Sequence, residues 1–382
     1  MVLVGALTQA SVASAAAPPK SAQGETGPAK TKNEAFPRPG HLNAITDVAG
    51  IQVGQYSRTD GDYQTGTTVV RAPDGAVNGV SVPGGWPGTI NTDVLDPKKN
   101  PQLSDAVFLS GGSYYGLATF GGVMRWMEQH CEGLQVGPKR CDVDPLVSGA
   151  IVFDLGRGGD FDARPTADFG YRAADNTQPG RVAQGNVGAG TGTHSTPFKG
   201  GIGTASIEYK DGLTVGALIA VNAGTAVNPN NCGFYARYLG LGDEFKGLRL
   251  PTKRACRKAF ATNASAGSKQ PAHPHTAIAV VATNAGLSDA QTAQMASRGG
   301  DGEVIAIDTI HTLGDGDTIF ALSTDKWKGS CDQTDCLERV YAGATKTIAR
   351  AVVHALLNAK STQGIVSYCD TFARACKHLA KS

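Results

Sequence analysis

The sequence predicts an α+β protein in which sheets pack on each other and helices cover their outer faces. Three observations carry this. Strand-like stretches come in runs, helical stretches separate the runs, and strict strand–helix–strand alternation is absent. Apolar residues make up 41% and charged residues 18% of 382 residues, enough for a sizeable core in one large domain or two ordinary ones. The 50 glycines follow no collagen-like period. They amount to about twice the usual share of roughly 7%, which suits tight turns and close backbone packing.

Taken in order, "MVLVGALTQASVASAAAPPK" carries a short apolar stretch and an Ala-x-Ala-like site near Ser14-Ala15-Ala16. It reads as a secretory signal without a basic start, and the plain alternative is an Ala-rich tail. Residues 17 to 37, rich in Pro, Lys, Gly and Ser, read as a linker. "LNAITDVAGIQVGQY" and "TGTTVVRAPDGAVNGVSVPGG" read as strands, with Asp74-Gly75 as a turn. "AVFLSGGSYYGLATFGGVMRWMEQH" reads as a strand, a Gly turn and a helix with Leu117, Phe120, Met124 and Met127 on its apolar stripe. "ASIEYKDGLTVGALIAVNAG" is a hairpin turning at Asp211-Gly212.

"ATNASAGSKQPAHPH" reads as a surface loop, and a buried strand follows from Thr276. Ser288 and Gln291 form a capping box for a helix expected to end at Gly299-Gly300. "EVIAIDTIHT" and "TIFALST" are further strands. Residues 336 to 360 form an amphipathic helix with Val340, Ala344, Ile348, Ala351 and Ala355 on one side.

Several classes of function lose support. The net charge is +2 and no basic stripe interleaves with aromatics, so nucleic acid is not an expected partner. No stretch is long and apolar enough to span a bilayer. There is no Walker loop, and "GNVGAGTGT" lacks the Lys-Ser/Thr that phosphate cradling needs. Ser113 in "GGSYYG" fails as a nucleophile elbow because Tyr115 stands where Gly is required. Eight cysteines fit an exported chain, and the simplest pairing joins neighbours: 131 with 141, 232 with 256, 331 with 336, 369 with 376. No Cys-x-x-Cys or ligand-spaced His pair supports a metal, and no cofactor is expected.

The sharpest chemical candidate is Thr276. A Thr hydroxyl is a poor nucleophile unless a base removes its proton. A free α-amine of the same residue, with a pKa of about 7.7–8.0, is such a base. It requires a cut between His275 and Thr276, where a polar loop feeds a buried strand. From the residues alone, a Thr opening a strand is the commoner outcome. Asp315 and Asp317 in "GDGD" could hold the amine, or form an ordinary turn. Asn222 ends an apolar strand and could donate to an oxyanion, or be a turn residue. Lys199 in "FKGGIG" could place a charge near the nucleophile, or lie solvated.

Together these stretches resemble the L-aminopeptidase/D-esterase (DmpA-like) peptidases, which include β-peptidyl aminopeptidases and nylon-oligomer hydrolases. The resemblance runs from about Leu42 to Ala359. It is carried by the order and spacing of "LNAITDVAGIQVG", "TGTTVV", "LSGGSYYGL", "GNVGAGTGT", "KGGIGTAS", "GLTVGALIAVN", "TAIAVVATNA" and "DGDTIFALST". It implies an αββα sandwich of the N-terminal-nucleophile type, related to ornithine acetyltransferases. It also implies a precursor that cuts itself into an α chain, 38–275, and a β chain, 276–382. These stay together as one composite domain and assemble into homo-oligomers.

By that resemblance Thr276 matches the nucleophile and Asn222 the oxyanion-stabilising Asn. Asp315 and Asp317 match the acidic pair of the nylon-oligomer hydrolases. Lys199 and Tyr115 match positions near the substrate pocket. His275 stands where the family usually has Asn or Gly, and Pro197 where a further Lys is often found. The expected activity is that of an exported aminopeptidase on short peptides, amides or esters. Rivals are an amidase for ω-amino-acid oligomers or β-peptides, and a non-catalytic exported binding protein.

Overall fold

A computed structural model describes residues 37–99, 102–267, 275–362 and 364–379. The signal-like segment, nearly all of the linker after it, and positions 268–274 of the polar loop lie outside the described residues.

Among the described residues, eight principal strands build the centre: β1 (Gln52–Arg58), β2 (Thr65–Ser81), β3 (Ser104–Ser110), β4 (Val147–Ile151), β5 (Gly201–Glu208), β6 (Thr214–Asn222), β7 (Thr276–Thr283) and β8 (Thr318–Ser323). The first half of β2 pairs with β1 and β3, and β3 runs parallel to β4. The second half of β2 pairs with β8, and the ladder continues through β7 and β6 to β5. One long strand is therefore shared by two sheets. Asp74-Gly75 is not a hairpin turn as expected. The ladder register shifts between Arg71 and Ala76, Gly75 takes φ +73°, and the strand passes on to the other sheet.

Among the described residues, five helices of two turns or more flank the sheets: α1 (Thr119–His130), α2 (Ala167–Asp175), α3 (Lys253–Gly267), α4 (Asp289–Ala306) and α5 (Thr334–Asn358). Apolar side chains separate into three layers. Val70, Val107, Leu109, Leu218, Ile278, Val280 and Phe320 fill the space between the sheets. Val123, Trp126 and Met127 of α1 cover one outer face with Ala173 and Ala174 of α2. Met295 of α4 and Val340, Ala344 and Ile348 of α5 cover the other. This is the αββα sandwich. The stripe expected on α1 is centred on Val123, Trp126 and Met127, with Leu117, Phe120 and Met124 at its margin.

Other expectations are corrected. α4 does not end at Gly299-Gly300. A Cβ at Gly302 would lie 2.3 Å from the Thr345 carbonyl oxygen, so the small residues let α4 run close against α5. "EVIAIDTIHT" is accordingly the end of α4 and an irregular stretch, not a strand. Residues 261–267 belong to α3 rather than to a loop.

The capping box at Ser288 and Gln291 is present. The hairpin joining β5 to β6 turns at Asp211-Gly212, where Gly212 N–H donates to the Tyr209 carbonyl. All four neighbour disulfides are formed: Cys131–Cys141, Cys232–Cys256, Cys331–Cys336 and Cys369–Cys376. No helix among the described residues is long and apolar enough to cross a membrane.

β7 positions the site. Ala277, Ala279 and Val281 point toward the helices, while Ile278, Val280 and Ala282 point between the sheets. Alternation therefore aims Thr276 between the sheets at the end of its strand. The same argument places Asn222 there, since Leu218 and Ala220 of β6 share that face. Asn222 and Thr276 are direct partners in the antiparallel ladder.

Candidate active site

The Thr276 hydroxyl is buried and donates to the His275 carbonyl oxygen at 2.6 Å. Gly316 N–H, between the two aspartates, reaches both atoms: it lies 3.1 Å from Thr276 Oγ1 and 3.2 Å from the His275 oxygen. A Cβ at Gly316 would stand 3.0 Å from both Thr276 Oγ1 and the Trp86 carbonyl oxygen, which leaves room for little but glycine.

Asp317 accepts Ala277 N–H at 2.6 Å with Oδ1 and His311 N–H at 2.9 Å with Oδ2. Burial and the facing Glu303 push its carboxyl up to about 8, while the two N–H donors favour the ionised form. Asp315 accepts Thr312 N–H at 2.7 Å, and its own carbonyl accepts Trp86 N–H at 2.7 Å. The loop between α4 and β8 holds Thr309 and His311 at φ +62° and +61°, which puts backbone strain in the segment that presents the aspartates.

Asn222 Oδ1 accepts from the Arg157 guanidinium and from His194 N–H at 3.1 Å. Its Nδ2 is buried and has no hydrogen-bond partner among the described residues. Such an orphaned donor costs about 1–3 kcal/mol unless something arrives to accept from it. Asp154 sits behind Arg157 and is held by Thr65 Oγ1 at 2.6 Å and Gly112 N–H at 2.7 Å. Burial pushes Asp154 up to about 6 and Arg157 down to about 10. His275 is half-buried, and its imidazole is pushed down by burial and by the Arg157 charge.

Lys199 is not solvated. Its ammonium is fully buried and donates to the carbonyls of Gly190 at 2.9 Å and Gly200 at 3.1 Å. Burial and the Arg157 charge push it down to about 7. Tyr115 is 54% exposed and lies under the Arg164 guanidinium, 3.6 Å from its ring centroid. The structure thus gathers Thr276, Asn222, Asp315 and Asp317 directly, places Lys199 in the buried charge group behind Asn222, and leaves Tyr115 at the surface.

Arg157, Asp154, Glu303, His311 and the Gly316 N–H were not read from the sequence. Only the three-residue spacing in "DLGR" hints at an Asp–Arg pair. Glu303 is wholly buried, with Oε2 3.0 Å from His311 Nε2 and Oε1 without a partner among the described residues. Burial pushes it well above its usual range. No cluster of His, Cys, Asp and Glu able to hold a metal occurs among the described residues.

A family model described as Peptidase family S58 matches residues 43–368. The chain belongs to peptidase family S58. An "uncharacterized aminopeptidase" of Mycobacterium leprae is 42% identical over 87% of this S58 peptidase and 94% of the relative. A β-peptidyl aminopeptidase of Sphingosinicella microcystinivorans is 29% identical over 87% and 85% of the two chains. Among solved structures, the L-aminopeptidase D-Ala-esterase/amidase of Ochrobactrum anthropi, described as a variant of the Ntn-hydrolase fold, aligns with a TM-score of 0.66. It covers 90% of this chain and 96% of that one at 21% identity, a likeness of fold. The family read from the ordered motifs and the Ntn-type sandwich both stand, and the S58 peptidase is a hydrolase.

Proposed function

We propose that this S58 peptidase is an exported aminopeptidase that activates itself by cutting the His275–Thr276 bond. One observation carries the reading: a buried Thr hydroxyl 2.6 Å from the carbonyl oxygen of the bond it would cut, beside a buried Asn amide with an unused donor. In the cut, Thr276 Oγ1 attacks the His275 carbonyl carbon and the amide becomes an ester. Gly316 N–H is placed to hold the oxygen. Water then releases the His275 carboxylate and leaves Thr276 with a free amine.

In turnover that amine takes the hydroxyl proton while Oγ1 attacks a substrate carbonyl, then gives it to the leaving amine, and water hydrolyses the resulting acyl ester to release the acid and restore the hydroxyl. Asn222 Nδ2 receives the oxyanion. Asp317 and Asp315 hold the new chain end, and the charge of the released ammonium favours ionised Asp317. Lys199 sets the potential behind Asn222, and Tyr115 borders the substrate entrance. The aminopeptidase, β-peptidyl aminopeptidase and esterase/amidase descriptions of the relatives support short substrates with a free amine: peptides, amides or esters. Four disulfides support an oxidising, extracytoplasmic site of action, and assembly of the cut pair into a homo-oligomer is part of the same reading.

The test is turnover of L-amino-acid arylamides by the purified protein. Wild type should release the arylamine, Thr276→Ser should retain part of the rate, and Thr276→Ala should retain none above background. Full activity in Thr276→Ala would refute the nucleophile. No turnover by wild type of α-, β- or ω-amino-acid arylamides would favour the binding-protein alternative.

A further inference from the structure

We infer that Arg157 is a positioning residue: its guanidinium, together with His194 N–H, holds the Asn222 amide oxygen so that the amide nitrogen faces the Thr276 reaction centre. The inference rests on the proposed role of Asn222.

A carboxamide has two faces that differ little in size. What decides which end meets the reaction is hydrogen bonding on the other end. Here two donors converge on Asn222 Oδ1, one of them charged. Turning the amide over would set its NH2 against the Arg157 and His194 donors, donor against donor. The turned state is therefore disfavoured, and Nδ2 stays in the one orientation where it is buried without a partner. Asn222 stands opposite Thr276 in the β6–β7 ladder, and both side chains project from the face that packs between the sheets, so the amide lies beside the nucleophile.

The support behind Arg157 is itself built. Arg157 is 6% exposed, and Arg157 N–H donates to the Asp154 carbonyl at 3.2 Å. The Asp154 carboxylate supplies the counter-charge. It is fixed in turn by Thr65 of β2 and by Gly112 after β3. A chain of contacts thus runs from the first sheet through Asp154 and Arg157 to Asn222 in the second. Lys199 is the other cation in this group, but its ammonium is spent on carbonyls of the 190–200 segment and on Thr193 Oγ1. Arg157, not Lys199, touches Asn222.

The test is a double-mutant cycle with Asn222→Ala. Arg157→Met, which removes donor and charge, and Arg157→Lys, which keeps the charge beside Asp154, are each made alone and with Asn222→Ala. The fraction of cut chain is measured by intact mass, and kcat and KM are taken per cut chain. Losing an oxyanion donor costs roughly 10²–10³ in kcat. Arg157→Met should approach that loss with KM little changed, and Arg157→Lys should lie between it and wild type. In the Asn222→Ala background neither should cost more than about a further 2-fold, because the residue acts only through Asn222.

An Arg157→Met loss that persists undiminished in that background would overturn positioning and assign the effect to charge alone. An Arg157→Met rate within about 2-fold of wild type would overturn it outright. If Arg157→Met shows no cooperative thermal transition, the Arg157→Lys pair decides by the same criterion. If Asn222→Ala keeps full activity, the role of Asn222 has failed, and with it the premise rather than the geometry. If Asn222→Ala slows the cut, the same cycle is read on the rate of the cut.

Discussion

Two buried charge networks in this molecule are built from similar residues and left in opposite states. Around Glu244, every strong group is matched. Its carboxylate, 3% exposed, takes Arg350 at 2.7 and 2.8 Å, accepts Asn43 Nδ2 at 2.8 Å and meets His354 Nε2. Burial pushes the carboxyl up, but the His354 hydrogen bond and the Arg350 charge outweigh it and hold it well below the usual range. Around Thr276, the groups are left unfinished. Asn222 Nδ2 and Glu303 Oε1 have no partners among the described residues, Asp317 is pushed up and Lys199 down. Matched charges hold a structure together, and displaced ones are available for chemistry.

The matched network has a further consequence under the proposed cut. Asn43 and Glu244 precede Thr276, while Arg350 and His354 lie on α5 after it. No disulfide joins the two sides of the cut. The pieces are then held by the β6–β7 ladder, the pairing of β8 with β2, the shared core and this ion pair. Under denaturing conditions without reductant they should therefore separate.

The largest expected break of the contrast is Asp317→Asn. Under the proposed mechanism it removes the carboxylate that would hold the freed Thr276 amine, and turnover should fall by roughly 10²–10⁴-fold with the thermal transition retained. A rate near wild type would show that Asp317 serves only the fold. Next comes Glu244→Gln on the other network. Breaking a buried ion pair costs roughly 3–5 kcal/mol, read as a lower midpoint in urea, while turnover per folded molecule should stay at the wild-type level. Equal losses of stability and rate would dissolve the distinction.

The same variant sharpens the pH dependence. A carboxyl depressed in the folded state adds stability above its unfolded pKa and loses it as pH falls through the folded value. The wild type should therefore lose its advantage over Glu244→Gln on acidification below about 4.5, the ordinary value. A constant gap between the two down to strong acid would contradict the depressed carboxyl. The Cys232–Cys256 bridge, closing a separation of 24 residues, contributes on the order of 2–4 kcal/mol. The paired Cys232→Ser, Cys256→Ser variant should lose about that much stability, with the cut unaffected.

Burial of Lys199 should also show in the pH dependence of stability. Its folded pKa of about 7 lies below the ordinary 10.5. Between those values the unfolded chain binds more protons, so this residue makes stability rise with pH. Lys199→Met should therefore gain stability relative to wild type as pH is lowered from about 10.5 to about 7. A pH-independent difference would mean that the ammonium is not desolvated.

Much of this was legible in the sequence because it is local. Alternation after Thr276, the Ser288–Gln291 box, the Asp211-Gly212 turn and the neighbour cysteines all act over a few residues. The ordered motifs brought Thr276, Asn222, Asp315 and Asp317 onto one list, and the register of β6 with β7 brings the first two face to face. What was misread needed the third dimension. Gly299-Gly300 looked like a stop because the close approach of α5 to α4 is invisible in sequence. Asp74-Gly75 looked like a turn because nothing local says that one strand serves two sheets. Arg157 and Glu303 escaped because each gains its meaning from a residue far along the chain or from burial, and neither sits in a recognisable motif.

The central claim is that a peptide bond is cut to create the catalytic base. It is tested most directly by the intact mass of the purified protein under denaturing, non-reducing conditions, with sequencing of the smaller piece. The account predicts two chains, the smaller beginning Thr-Ala-Ile-Ala. A single chain that stays whole yet turns over arylamides at full rate would contradict it.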